Sequence, residues 1–187
     1  MPQKKINLVT TFDQINLYKK NNYYLGKWCL NYVKKNKVNN YLAYHWDDIS
    51  KFERDTKYLD KVYKLKIRDL SKILNTYNDT DYSQNFWEII LGPWLGWFIS
   101  IIFDRYENIK IFEKKFNNSQ TKIINYKLES IIPKNLLDFH NLMTTDKFNH
   151  YIFSIIIKHY SNIEYEIIED PHSGNNKKNY IQDIKKK

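Results

Sequence analysis

Four short segments carry side chains that could take part in chemistry, and the first is His45-Trp46-Asp47-Asp48. An apolar run ends at this segment and a helical pattern begins after it. In open α/β sheets, ligands bind where strands end and helices begin. His45 could therefore act as a general base, with Asp47 or Asp48 as the acid that orients it. Alternatively, these carboxylates could cap the helix or interact with its dipole.

The second segment, Trp87 to Trp94, places one carboxylate inside an apolar stretch. A buried Glu88 must be paired or have a raised pKa, and either condition is a hint of function. Gly92-Pro93 predicts a helix break, because the residue before proline avoids the α region. The free N–H groups of a new helix start at Gly92 could hold an anion, with Trp94 beside it. The alternative is a kinked core helix in which Glu88 pairs with a lysine or arginine.

The third and fourth segments supply further polar groups. Arg105 stands at the polar edge of a predicted helix, and its guanidinium is suited to bidentate contact with phosphate or carboxylate. An internal salt bridge is the alternative role. Asp146 could cap the next helix, whose first turn would carry Asn149 and His150 as substrate-binding candidates. The pattern favours a purely structural role for these residues over a catalytic one.

Several familiar kinds of site have no counterpart in the sequence. It contains no GxGxxG, P-loop, HExxH or paired CxxC motif, and only four glycines. The single cysteine, Cys29, lies in an apolar setting and predicts a buried, inert thiol. We therefore predict neither a cofactor nor a metal site.

The charge of the chain is strongly basic, with a net charge of +9 and an isoelectric point near 9.3. Such a balance can indicate contact with nucleic acid, anionic lipid or phosphorylated substrates. The lysines are scattered, however, and no nucleic-acid recognition motif is present, so we predict no nucleic-acid partner. The N-terminus does not have the pattern of a signal peptide, which predicts a cytoplasmic protein that could still contact the inner membrane peripherally.

The stretch from 86 to 103 bears on the question of a membrane span. It contains 18 residues with one charge, which is just long enough to cross a bilayer. Glu88 and the Gly92-Pro93 pair interrupt it, and both flanks carry mixed charge. We therefore expect a buried core helix rather than a span.

The elements that must position these side chains alternate between strands and helices. Residues 1–170 are expected to form one α/β domain with a mostly parallel, Rossmann-like sheet. The long helical block from 50 to 115 would be an insertion or a cap, with Ser50 and Glu53 as a capping box. A Lys- and Asn-rich tail over 171–187 is expected to be disordered. The predicted strands are 6–11, 23–26, 41–44, 122–126 and 163–168, and the predicted helices are 49–77, 81–92, 93–115, 135–142 and 146–160.

Several of these segments, taken in order, carry a resemblance to a known family. The chain resembles the N-terminal portion of a family of transferases encoded in bacterial O-antigen and surface-polysaccharide gene clusters. The resemblance covers roughly residues 5 to 168, and the HWDD and GPWL segments are its most specific parts. It rests on Leu8-Val9-Thr10-Thr11, Leu25-Gly26-Lys27-Trp28-Cys29, Tyr44-His45-Trp46-Asp47-Asp48, Trp87 to Leu95, Phe103-Asp104-Arg105 and Asp146 to Tyr151.

The resemblance implies a cytoplasmic, glycosyltransferase-like protein of surface-polysaccharide or lipopolysaccharide biosynthesis. Family members continue into a second α/β domain that is expected to bind most of the donor nucleotide. The chain would then be the N-terminal, acceptor-side half of a two-domain architecture, incomplete without a C-terminal domain or partner chain. Its expected substrates are a sugar or nucleotide sugar and a polysaccharide-precursor acceptor. The alternative is a non-enzymatic membrane-surface protein that uses the 86–103 stretch and its basic charge.

Overall fold

A computed structural model describes residues 4–30 and 39–171 of the chain. Apart from Pro171, the predicted disordered tail lies outside the described residues. The described part is a four-stranded parallel sheet with helices, which confirms the predicted α/β class. Its elements are β1 (Ile6–Val9), β2 (Asn22–Tyr24), α1 (Ile49–Asn78), α2 (Gln84–Lys115), β3 (Ser119–Asn125), α3 (Leu136–Leu142), α4 (Asp146–Tyr160) and β4 (Glu164–Glu169).

The sheet has the strand order β2-β1-β3-β4, and every pair is parallel. β1 therefore lies inside the sheet, with its sequence neighbour β2 on one side and the much later β3 on the other. Its last residues, Leu8 and Val9, are fully buried, as expected of a strand inside a parallel sheet. The carboxyl ends of β1 and β3 flank the point where the strand order reverses, which is the usual ligand position in such sheets.

The predicted strand at 41–44 is wrong. Only Tyr41 pairs with the sheet, through a single bridge to Tyr24. The Leu42 N–H donates to the Tyr24 carbonyl at 3.0 Å, and the chain then leaves the sheet for a short 3-10 helix, His45–Asp47. The segment after this isolated bridge therefore leads to α1 without adding a strand to the sheet.

α4 covers the sheet and builds most of the core. Its buried positions recur at helical spacing, so one apolar face lies against the strands. Phe112 of α2 and Leu25 after β2 complete the same cluster, and both are fully buried. Cys29 is also fully buried, as predicted, and burial raises the pKa of its thiol to about 12. The core-facing residues of α4 are Phe148, Ile152, Phe153, Ile156 and Ile157.

The N-cap of α1 lies two residues before the predicted capping box, which began at Ser50. The N-cap is Asp48, whose carboxylate accepts the Lys51 N–H at 3.1 Å. Ser50 therefore lies inside the first turn, and the capping role that the sequence left open for Asp48 is the observed one. At the other end, Asp79 adopts a left-handed conformation with φ of 52°, which ends the helix.

α2 runs without a break, so the predicted division into two helices at Gly92-Pro93 is wrong. A residue before proline avoids the α region because its Cβ and N–H meet the proline ring. Gly92 has no Cβ, which removes part of that clash. The missing N–H of Pro93 still costs about 3 kcal/mol in a helix interior. Packing of α2 against both α1 and α4 offsets this cost.

α1 and α2 form an antiparallel helical hairpin, and α2 is not the buried core helix that its composition predicted. Its most apolar 18-residue window has a mean hydropathy of 1.6 but is only 11% buried. By length and composition alone, α2 could cross a membrane. Its C-terminal half enters the core through Ile109 and Phe112, while much of its N-terminal half faces solvent.

Two glycines of α2 give a matched test of helix packing. A Cβ at Gly96 would meet nothing within 4 Å, whereas a Cβ at Gly92 would lie 2.6 Å from the Tyr63 hydroxyl. We expect Gly96→Ala to raise the free energy of unfolding by about 1 kcal/mol, because alanine is the better helix former. Gly92→Ala should raise the free energy of unfolding by less than Gly96→Ala does, or should lower it. Adding Tyr63→Phe to Gly92→Ala should restore part of the gain, because the hydroxyl that meets the new Cβ is removed. Urea unfolding measures all three, and equal gains at the two glycines would contradict the contact.

Candidate functional site

A cleft of about 700 Å³ opens at the carboxyl side of the sheet. The segments after β2, the 3-10 helix before α1, the C-terminal half of α2 and the first turns of α4 all contribute to its walls. The charged side chains in the lining are two cations and two carboxylates, so the cleft can bind both anions and hydroxyl groups. These four are Lys27, Arg105, Asp47 and Asp146.

The wall beside β2 is built around Trp28. Its indole N–H donates to the carbonyl of Thr10, just beyond the end of β1, at 2.9 Å. The ring folds back over Gly26, where any Cβ would lie only 2.0 Å from a ring carbon. Gly26 is therefore required by the position of Trp28. Lys27 projects into the cleft, with its Nζ 5.5 Å from the centre of the Tyr41 ring, and forms no ion pair with a described residue.

Arg105 lies in the opposite wall and is held on two sides. Its Nε and Nη2 both donate to Asn149 Oδ1, at 3.0 and 2.7 Å, and its Nη1 donates to Asp104 Oδ2. The Asn149 amide is itself fixed, because its Nδ2 donates to the carbonyls of Met143 and Thr145. Three of the five guanidinium N–H groups are thus used. The other two have no acceptor among the described residues, and the side chain is 22% exposed.

Asp104 links this arginine to the predicted catalytic histidine. Its carboxylate is almost fully buried and contacts Arg105 on one oxygen and His45 Nε2, at 2.9 Å, on the other. Burial opposes ionisation, but the bonds from His45 and Arg105 outweigh it and lower the pKa of Asp104. Partial burial and the nearby Asp104 carboxylate raise the pKa of Tyr44. Asp104 was not among the site residues predicted from the sequence, although it is the charge that organises this wall.

The structure separates His45 from the two carboxylates expected to orient it. His45 is 6% exposed and bonds to Asp104, while its Nδ1 has no partner among the described residues. Asp48 caps α1 instead. Asp47 is exposed and lines the cleft without contacting the imidazole through a hydrogen bond. His45 therefore lies behind the cleft wall, where it positions Asp104.

His150 also lies beneath the cleft rather than in it. Its Nε2 accepts the backbone N–H of Ile124 at 2.9 Å, so its Nδ1 carries the proton and donates to Thr10 Oγ1 at 3.2 Å. The Thr10 hydroxyl donates in turn to the Gln14 side chain, which donates to Thr121. Burial lowers the pKa of His150 to about 4, so the imidazole is neutral. These contacts give it a structural role that joins α4 to β1 and β3.

Asp146 is the cleft carboxylate with the most unusual ionisation. It occupies the first turn of α4, after the N-cap Thr145, and accepts the backbone N–H of Phe12. Burial and the neighbouring Asp13 carboxylate raise its pKa to about 6, despite that hydrogen bond. A carboxylate of this kind can take up and release a proton near neutral pH.

The remaining sequence candidates lie far from the cleft. Glu88, Gly92 and Trp94 precede Arg105 on the same continuous helix by roughly 16 to 26 Å of helix rise. The Glu88 carboxylate accepts the Tyr63 hydroxyl at 3.3 Å, and Trp94 lines a separate apolar groove of about 620 Å³ between α1 and α2. Because the helix does not break, Gly92 provides no free N–H groups for an anion.

Comparison with known proteins decides the family. The family model of the LIC12162 family transferases matches residues 6–187, which is nearly the whole chain. The chain belongs to this family. The match continues beyond residue 168, where the resemblance in the sequence was expected to end. No curated protein and no solved structure matches the chain.

In this LIC12162 family transferase, the cleft brings together some predicted residues and adds others. Asp47, Arg105 and Asn149 share it, and His45 supports it from behind. Lys27, Asp104 and Asp146 were missed as individual site residues, although all three lie in segments that carry the family resemblance. Asp146 was predicted only as a helix cap, a role that Thr145 has instead. The signal that could have found Asp104 is a lone carboxylate beside an arginine within an apolar helix. In the described ranges, no group of three or more His, Cys, Asp or Glu side chains is placed to bind a metal.

The buried pair of His45 and Asp104 can be tested by unfolding. His45→Ala should lower the free energy of unfolding by about 2 to 3 kcal/mol, because it leaves a buried carboxylate oxygen without its donor. Asp47→Ala, two residues away and exposed, should change it by about 0.5 kcal/mol or less. Urea unfolding followed by tryptophan fluorescence measures both. Similar costs for the two variants would mean that the buried pair contributes little.

Proposed function

We propose that this transferase moves a sugar from a nucleotide sugar to a hydroxyl group of a polysaccharide precursor in bacterial surface-polysaccharide or O-antigen biosynthesis. Family membership supports group transfer. The resemblance to surface-polysaccharide proteins supports the sugar and the pathway. In this proposal the protein works in the cytoplasm, and the donor nucleotide is held mainly by a second α/β domain or partner chain that faces the cleft.

The position of Arg105 is the observation that carries the proposal. Its guanidinium is fixed by Asp104 and Asn149, and two N–H groups have no acceptor among the described residues. Paired N–H groups on a planar guanidinium suit a phosphate oxygen pair. Lys27 lines the same cleft and forms no ion pair with a described residue. We therefore assign the diphosphate of the donor to the space between these two cations.

Asp146, rather than His45, is the proposed general base. The imidazole of His45 is buried against Asp104, whereas the Asp146 carboxylate lines the cleft. As the acceptor oxygen bonds to the anomeric carbon, its proton passes to Asp146. The bond between that carbon and the donor phosphate oxygen breaks, and the nucleoside diphosphate leaves with the electron pair. Arg105 and Lys27 would stabilise the negative charge that develops on this leaving group.

Phosphate binding can be measured directly, because the chain contains only three arginines. In a ¹⁵N-labelled full chain, titration with inorganic diphosphate should shift the Nε–Hε resonance of Arg105. Arg54 and Arg68, both exposed on α1, are internal controls and should shift little. Arg105→Lys should abolish saturable binding, since lysine lacks the planar fork. Equal shifts at all three arginines would indicate screening only and would contradict the assignment.

The proposed base predicts a pH profile and a separation of binding from chemistry. In the complete protein, with the second domain or partner chain present, nucleoside diphosphate release from a panel of nucleotide sugars, with a polysaccharide-precursor extract as acceptor, should fall about tenfold per pH unit below pH 6. The fall follows because the active form of Asp146 is the deprotonated one. Asp146→Asn should reduce turnover by about 100-fold or more, while the Arg105 resonance still responds to diphosphate. Asp60→Asn, on the exposed face of α1, is the control and should behave as the wild type.

The alternative of a non-enzymatic membrane-surface protein has less support than transfer. The family match covers nearly the whole chain and names a transferase family. The cleft also brings two carboxylates and two cations together, which lipid contact alone would not require. Membrane contact is nevertheless compatible with transfer.

A further inference from the structure

Two carboxylates come together at the point where the strand order of the sheet reverses. Asp13 follows the carboxyl end of β1, in the short 3-10 helix Phe12–Gln14. Asp146 lies in the first turn of α4, and its carboxylate accepts the backbone N–H of Phe12, the residue directly before Asp13. Two elements that are far apart in the sequence thus bring these acidic side chains to one place.

Tyr126, the residue after β3, fixes the Asp13 carboxylate. Its hydroxyl donates to Asp13 Oδ2 at 2.6 Å, a length typical of a charge-assisted hydrogen bond. The tyrosine is 7% exposed, and its ring lies edge-on to the His150 ring with centres 5.7 Å apart. Burial and the Asp13 carboxylate raise the pKa of Tyr126, so the hydroxyl keeps its proton and remains a donor.

No basic residue in the described ranges forms an ion pair with either carboxylate. Lys147 is next to Asp146 in the sequence, but its Nζ contacts Asp170 at 3.5 Å instead. Two like charges without a counterion repel each other, and the repulsion is relieved when one of them takes up a proton. The other titratable or charged groups around Asp146 are the buried neutral thiol of Cys29, the Tyr126 hydroxyl, and Lys27, Asp47 and Arg105 of the cleft.

The two carboxylates are not equivalent. Tyr126 donates its hydroxyl proton to Asp13, whereas Asp146 receives a backbone N–H and lines the cleft. Asp146 is therefore the member of the pair that takes up a proton. The direction of its titration agrees, since burial and the Asp13 charge raise the pKa of Asp146 to about 6.

We propose that Asp13, held by Tyr126, is a positioning residue that acts through Asp146. Its negative charge makes Asp146 hold a proton more tightly, and so makes Asp146 a stronger base toward the acceptor hydroxyl. The inference rests on the proposed role of Asp146 in sugar transfer. Asp13 itself need not touch a substrate, because the lining of the cleft includes Asp146 but not Asp13.

Carboxyl ¹³C NMR of the full chain tests the pair without any substrate. The Asp146 resonance, assigned by its loss in Asp146→Asn, should titrate with a midpoint of about pH 6. Asp13→Asn should lower this midpoint by about one pH unit, because it removes the charge that opposes ionisation of Asp146. The amide oxygen of the asparagine can still accept the Tyr126 hydroxyl, so the local contact is kept. An Asp146 midpoint that Asp13→Asn leaves unchanged would overturn the proposal.

Two further variants separate the charge from the shape of the side chain. Asp13→Glu changes the length of the side chain but keeps its charge, so the Asp146 midpoint should stay close to that of the wild type. If Asp13→Glu and Asp13→Asn lowered the midpoint equally, packing rather than charge would be the cause and the proposal would fail. Asp60→Asn makes the same chemical change at an exposed position of α1 and should leave the midpoint unaltered. Circular dichroism should show all three variants folded.

The pH profile of transfer by the complete protein distinguishes this inference from the proposed function. At pH 5 the wild type should keep about a tenth of its plateau turnover and Asp13→Asn about half, because a midpoint one unit lower leaves half of the base ionised. If the NMR midpoint of Asp146 moves in Asp13→Asn but the pH profile of transfer does not, the pair is supported and Asp146 is not the base. If the NMR midpoint does not move, the pair is overturned whatever the turnover.

Discussion

The buried carboxylate of Asp104 is the charge on which the cleft wall depends. Only 2% of the residue is exposed, and an unpaired carboxylate at such a position would cost several kcal/mol. The fold therefore has to bring donors to both oxygens, and it does so with His45 and Arg105. Because His45 precedes α1 in the chain, the pair ties the start of the hairpin to α2. Because Arg105 also bonds to Asn149, the same group of contacts reaches α4.

A second buried polar group holds the sheet under the cleft. Gln14 accepts two hydrogen bonds from Thr10 and donates to Thr121, so it joins the loop after β1 to β3. His150 extends these contacts to α4. Each of these hydrogen bonds satisfies a polar group that has lost its water, which is the condition for keeping it in a core. These contacts form a hydrogen-bonded layer beneath the cleft residues.

α2 serves two surfaces because its two halves have different neighbours. Its C-terminal half packs against α4, enters the core through Ile109 and presents Arg105 to the cleft. Its N-terminal half packs mainly against α1 and leaves several apolar side chains, among them Ile89, exposed to solvent.

The sequence by itself determined the elements whose residues carry their own periodicity or end signals. α4 spans Asp146–Tyr160, as its apolar spacing predicted, and the parallel class follows from short apolar strands between helices. Long-range pairing was decided only by tertiary structure. His45 and Asp104 are 59 residues apart, and no local pattern states which carboxylate a buried imidazole will meet. The break predicted at Pro93 failed for the same reason, because packing from α1 and α4 outweighs a local preference worth a few kcal/mol.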